Sequence, residues 1–109
     1  MLESLFGSVN RERILAYLVA RQQGYARGMA AFFGTNLRAL QVQLDNLEAG
    51  GVLVSRREGR TRLYRLNPRW PFREQIVALV ERMFEFYPAD DRERLLEGRR
   101  RPRRRGKPQ

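Results

Sequence analysis

Between Asn36 and Pro68 the hydrophobic repeat changes period, and that change restricts the fold more than any other feature of the chain. Leu37, Leu40, Leu44 and Leu47 recur at steps of three, four and three residues. That is the stripe of a helix with one buried face. Asn36 suits its N-cap, and Gly50-Gly51 stops it. Val52, Leu53 and Val54 then open a strand. Arg57-Glu58-Gly59-Arg60 carries turn chemistry, and Leu63, Tyr64 and Leu66 lie in a returning strand that ends at Asn67-Pro68. Two short runs around a glycine turn read as a β-hairpin. A helix that passes at once into a hairpin leaves few small folds to choose from.

The flanking segments are helical. Leu2, Leu5 and Phe6 make one amphipathic turn, ended by Gly7. Ser8 or Asn10 can cap the next helix, whose apolar positions are Ile14, Leu15, Leu18 and Val19. Gln23-Gly24 closes it. Tyr25 to Phe33 reads as a short helix around Met29, Ala30, Phe32 and Phe33, with Gly28 as a weak point inside it. Gly34-Thr35-Asn36 is a tight turn. From Pro71 to Tyr87 a longer helix carries Phe72, Ile76, Leu79, Val80, Met83, Phe84 and Tyr87 at helical spacing, and Pro88 ends it. The expected class is mainly α with a small β-hairpin (α+β). One domain is expected over residues 1–88, with a dimerisation helix over 71–87. Residues 89–109 form a charged, arginine-rich tail expected to be disordered.

Composition removes several function classes. The chain of 109 residues has no cysteine and no histidine. Thiolate chemistry, disulfides and the commonest metal ligands are therefore absent, and no acidic cluster offers a carboxylate-only metal site. Ser4, Ser8 and Ser55 have no histidine to activate them, and there is no glycine-rich phosphate loop. We expect no enzyme activity, no cofactor and no metal. The apolar runs are too short to span a membrane, and the first residues do not read as a secretory signal. The expected location is a prokaryotic cytosol or nucleoid.

The net charge is +10, carried almost entirely by arginine. Residues 1–88 hold 13 arginines against 8 acids, and residues 89–109 hold 9 basic residues against 4 acids, so each part supplies half of the excess. Basicity spread over body and tail points to a polyanionic partner, most simply nucleic acid. In a helix–turn–helix unit over Tyr25 to Ala49 the second helix can enter a major groove. Its side away from the leucines carries Arg38, Val42 and Asp45, flanked by Gln41. Arginine pairs with guanine, glutamine with adenine, and valine can touch a thymine methyl. Thr35 and Asn36, at the turn, are counted with them as DNA-binding residues. In the hairpin, Tyr64 and Leu66 should face the core and leave Arg56, Arg57, Arg60 and Arg62 outside, placed for backbone or minor groove.

The stretches LFGSVNRERIL (Leu5 to Leu15) and LDNLEAGGVLVSRREGRTRLYRLNP (Leu44 to Pro68), with Tyr25 before the short helix, resemble winged helix-turn-helix transcriptional regulators of the ArsR-like superfamily. The resemblance covers about two-thirds of the chain. It implies a homodimeric double-stranded DNA-binding regulator, usually a repressor, with the recognition helix at 36–49 and a wing at 56–62. It also implies that the terminal helices form the dimer interface. The residues available for that are Leu2, Leu5, Phe6, Ile76, Leu79, Val80, Met83, Phe84 and Tyr87. Two departures stand out. Val42 and Asp45 occupy positions where such regulators often carry Arg or Lys, and the cysteine and histidine ligands of metal-sensing members are missing. Two other readings stay open: a winged-helix module for protein or RNA, and an architectural DNA-binding protein driven mainly by its tail.

Overall fold

A computed structural model of the chain describes residues 1–100, with side chains to Glu97. Among these residues there are six helices and one three-stranded antiparallel sheet, an α+β arrangement. The helices are α1 (Glu3–Phe6), α2 (Val9–Arg21), α3 (Ala26–Phe33), α4 (Leu37–Ala49), α5 (Arg73–Phe84) and α6 (Ala89–Arg100). The strands are β1 (Gly24–Tyr25), β2 (Leu53–Glu58) and β3 (Thr61–Leu66), in the order β1-β3-β2. No helix among the described residues is long and apolar enough to cross a membrane.

The core is built around α2. Ser8 caps it, its hydroxyl accepting from the Arg11 N–H at 3.0 Å. Ile14 to Ala20 are all buried, so the second half of α2 is enclosed on every side rather than on one stripe. Ala16 and Ala20 make this possible, since their small side chains let neighbouring elements approach. Every other element except β2 packs against α2. Each fully buried Ile or Leu there contributes roughly 1.5–3 kcal/mol of transfer free energy. Glycine is required at one contact: a Cβ on Gly24 would lie 2.6 Å from Tyr17 Cε1.

β1 was not legible as a strand. Tyr25, expected to open the short helix, instead pairs with Leu63, while Gly24 pairs with Tyr64. Two residues carry no readable alternation, and only the docked β3 gives them partners. The hairpin turns at Gly59-Arg60, with Glu58 opposite Thr61. Gly59 has φ 63° and Arg60 does not have positive φ, the pattern of a type II′ turn.

The C-terminal segment differs from expectation. Residues 89–100 are helical, not disordered. Leu95 is only 2% exposed and joins the core. Arg21 donates to the carbonyls of Leu95 at 3.2 Å and Arg94 at 2.8 Å, and Arg94 donates to the carbonyl of Phe32 at 2.8 Å. A segment this charged lacks an apolar stripe wide enough to announce itself. It is held by Leu95, with Leu96 partly buried beside it, by Arg21 reaching its backbone, and by Arg94 reaching out to Phe32. The rest of the expected disorder, residues 101–109, lies outside the described residues. The domain therefore extends past residue 88.

Candidate nucleic-acid interface

Two helices and the hairpin converge on one basic surface. The turn between α3 and α4 is closed by backbone hydrogen bonds. Gly34 adopts φ 63°, and the N–H groups of Gly34 and Thr35 donate to the carbonyls of Ala31 at 3.3 Å and Ala30 at 3.0 Å. This paired bonding closes α3 and lets the chain reverse within three residues. Asn36 then caps α4 by accepting from the Ala39 N–H at 2.9 Å. Leu40, Leu44 and Leu47 are buried and Leu37 is half-buried, which fixes the rotation of α4. Arg38 and Val42 are consequently turned outward, with Val42 50% exposed. Arg11 Nε donates to Gln43 at 2.7 Å and braces α4 against α2.

The strand register sorts the hairpin arginines into two sets. Arg57 stands opposite Arg62, on the same face as Tyr64 and Leu66 but nearer the tip. Arg56 and Arg65 lie on the other face. The expectation that all the arginines point away from the core face is thus corrected, because alternation divides them. Arg56 is also committed: its Nε and Nη2 each lie 2.9 Å from Glu58 Oε2. The Tyr25 hydroxyl donates to the other oxygen of Glu58 at 3.0 Å. These two contacts hold the Glu58 carboxyl below its usual range, and the Glu58 contact raises the Tyr25 hydroxyl. The Glu58–Arg56–Tyr25 cluster pins β1 to the hairpin and leaves Arg56 poorly placed for an outside anion.

Between α3, α4 and β3 lies a groove of about 280 Å³. Arg27, Arg60 and Arg62 line it, with Tyr25, Gln41 and Tyr64. Arg27, at the start of α3, escaped the sequence reading. Its place at the first turn of the helix before the tight turn was the available signal. α3 has no side-chain cap and no acid in its first turn, so its leading N–H groups add to the positive field. Arg27, Arg38 and Arg60 make no hydrogen bond or ion pair among the described residues. The neighbouring acids are engaged: Glu48 accepts from Ser55 at 2.7 Å and Asp45 from Gln41 at 3.0 Å. Arg57 opposite Arg62 is a like-charge cross-strand pair, unfavourable until an anion lies between or beside them.

Of the remaining expected contacts, Thr35 is half-buried in the turn and Asn36 is exposed but spends its Oδ1 on the cap. Gln41 is less available than its position implied. Its Nε2 donates to both Tyr64 Oη and Asp45 Oδ1, each at 3.0 Å. A two-point contact with adenine requires that amide to be released.

The residues expected at a dimer interface separate by burial. Val80 (0%), Met83 (3%) and Phe84 (6%) lie inside the protomer's own core and are removed from that set. α5 must cover α2, and its broad apolar side is partly used up in doing so. Leu2, Phe6, Ile76 and Tyr87 are partly buried against the core, and Leu79 is half-buried. Leu5 remains 64% exposed, together with Phe72 at 60% and Phe86 at 61%. Tyr87 is held inward by its hydroxyl, which donates to Glu12 at 2.6 Å. Among the described residues no group of three or more His, Cys, Asp or Glu side chains is placed to hold a metal ion.

No family model and no curated protein sequence matches this chain.

Proposed function

We propose that this chain is a winged helix-turn-helix protein that binds double-stranded DNA as a homodimer and regulates transcription. The observation that carries the reading is the outward projection of Arg38 and Val42 from α4 beside a groove edged by Arg27, Arg60 and Arg62. α4 enters the major groove, with Arg38 set for guanine and Val42 for a thymine methyl. α3 crosses the backbone, where Arg27 and the open first-turn N–H groups meet phosphates. The wing, through Arg57, Arg60 and Arg62, follows the backbone into the minor groove. The resemblance to ArsR-like regulators supports the same assignment. Leu5, Phe72 and Phe86 are the exposed apolar groups from which a two-fold interface is built. A dimer spaces two copies of α4 by one helical turn of DNA, about 34 Å.

The test is retention of genomic fragments over a salt series. Selective retention of a few fragments at about 0.15 M salt, with symmetric protected half-sites, supports the proposal. Uniform binding that disappears over the same series points to an architectural protein instead.

A second reading has its own observation. Gln41 is tied inward and Val42 presents an apolar surface, a poorer base-reading face than a fully polar helix would give. A winged-helix module that docks on protein or RNA would show no preference among duplex fragments at any salt concentration.

A further inference from the structure

A second cavity, of about 390 Å³, shares no residue with the basic groove. It lies between the start of α2, the end of α3 and the junction of α5 with α6. Small-molecule sites fall in the range of about 300–1,000 Å³. Its aromatic lining is Phe32, Phe33 and Tyr87, with Val9 and Leu95 among the aliphatic side chains beside them. The two phenylalanine rings meet edge to face with centroids 4.9 Å apart.

Two guanidinium groups stand at this wall. Arg94 sits over the Phe32 ring at 4.2 Å and donates one Nη to the Phe32 carbonyl. Arg13 lies 5.8 Å from the Phe33 centroid and donates one Nη to Asn10 at 3.1 Å. Each keeps further N–H groups without a partner among the described residues. Asp91, also at the cavity, has no hydrogen bond or ion pair among them. Glu12 lines the cavity but is spent: its carboxylate, 5% exposed, accepts from the Tyr87 hydroxyl, the Leu2 N–H and the Met1 amino group. The uncommitted charges are therefore two cations against one anion, the complement of a monoanion. The aromatic lining, with rings set edge to face, complements a compact aromatic body.

We infer that this cavity binds a small aromatic carboxylate, its ring against Phe33 and Tyr87 and its carboxylate between Arg13 and Arg94. Occupancy also reaches the turn. Phe33 directly precedes Gly34, and the Phe32 carbonyl is held by Arg94. A carboxylate that draws Arg94 away releases that carbonyl and shifts the last turn of α3, with α4 behind it. The consequence for DNA, and that alone, rests on the function proposed above.

Isothermal titration of the full chain with three probes tests the site: 1-naphthoate, 1-naphthylmethanol and 1-naphthylmethylammonium. They share a ring and differ in charge. The naphthoate should bind at least about tenfold tighter than either other probe, as one charge-assisted contact provides. Arg13→Gln should weaken it by about tenfold, and Asp91→Asn should tighten it. Variants with unchanged circular dichroism qualify for comparison, and these two substitutions lie outside the basic groove. Naphthoate binding no tighter than the alcohol, tighter ammonium binding, or indifference to both substitutions overturns the assignment. The link to the turn is read separately, from the amide resonances of Gly34 and Thr35. Naphthoate should shift them, and unmoved resonances at saturation remove the coupling. Both readouts proceed without DNA, so a chain that binds no DNA fails the earlier proposal and leaves this one to its own result.

Discussion

Gln41 on α4 donates its side-chain amide to the hydroxyl of Tyr64 on β3 at 3.0 Å, which joins the helix to the central strand of the sheet. Tyr64 is only 2% exposed, so its hydroxyl depends on few partners. Tyr64→Phe removes the donor's partner but leaves Gln41 bonded to Asp45. We expect a loss of about 1 kcal/mol. Gln41→Ala leaves the Tyr64 hydroxyl short of a partner and should cost about 1–3 kcal/mol. Urea denaturation of both variants and of the double variant measures the coupling. Strict additivity would show that the contact does not bind helix to sheet.

The arginines of α4 and of the hairpin predict different binding phenotypes. Arg38→Ala should cost about 1–3 kcal/mol on a selected fragment and relax preference at one position of each half-site. Arg60→Ala should weaken binding to all fragments alike and reduce the salt slope by about one. Arg56→Ala should do neither, because Arg56 faces the other side of the hairpin and is paired with Glu58. Gel shifts over a salt series separate these outcomes. An Arg56 effect as large as that of Arg60 would contradict the commitment of Arg56 to Glu58.

Leu95 anchors a helix whose sequence conceals it. Leu95→Ala should destabilise the chain by about 2–4 kcal/mol, read as a lower urea midpoint, because it empties a fully enclosed site. A change under about 0.5 kcal/mol would show α6 to be a loosely held appendage. The contrast with α4 shows where the sequence was legible. Leu40, Leu44 and Leu47 write a helical period into the chain, and Asn36, Gly50 and Gly51 punctuate it. α6 offers Leu95 and Leu96 in a field of charges, and its bonds come from Arg21, more than seventy positions away. The hairpin was readable from Gly59, but its third strand was not, since two residues have no period. Arg38 and the wing tip were readable as exposed. The commitment of Gln41 and Arg56 was not, because it depends on partners brought near only by docking.

Two glycines should respond in opposite directions to alanine. Gly28 lies inside α3 with no atom within 4 Å of a Cβ, so Gly28→Ala should stabilise by roughly 0.5–1 kcal/mol. Gly24→Ala would press against Tyr17 and should cost about 1–3 kcal/mol. Thermal melts of the pair decide it. If Gly24→Ala were as stable as the parent, Tyr17 would have room to rotate away, and the close approach of β1 to α2 would not be required.

Tyr87 should make stability fall at high pH. Burial first, and then the hydrogen bond to Glu12, raise its hydroxyl well above the ordinary value of 10.0. The unfolded chain therefore releases this proton at about pH 10, while the folded chain keeps it. Above that pH the folded state binds more protons than the unfolded one, so the linkage slope is negative and stability declines as pH rises. Below about pH 10 both states are protonated and the contribution is complete. The limiting slope is about 1.4 kcal/mol per pH unit, and partial solvent access around a half-buried ring narrows the pH range over which it persists. Urea midpoints between about pH 8 and pH 11.5 should drop steeply for the parent and less for Tyr87→Phe. That variant leaves the ring packed near Phe84 and removes only the titrating group. Curves that fall in parallel would place the alkaline transition elsewhere and deprive the Tyr87–Glu12 contact of its part in holding the end of α5 to α2.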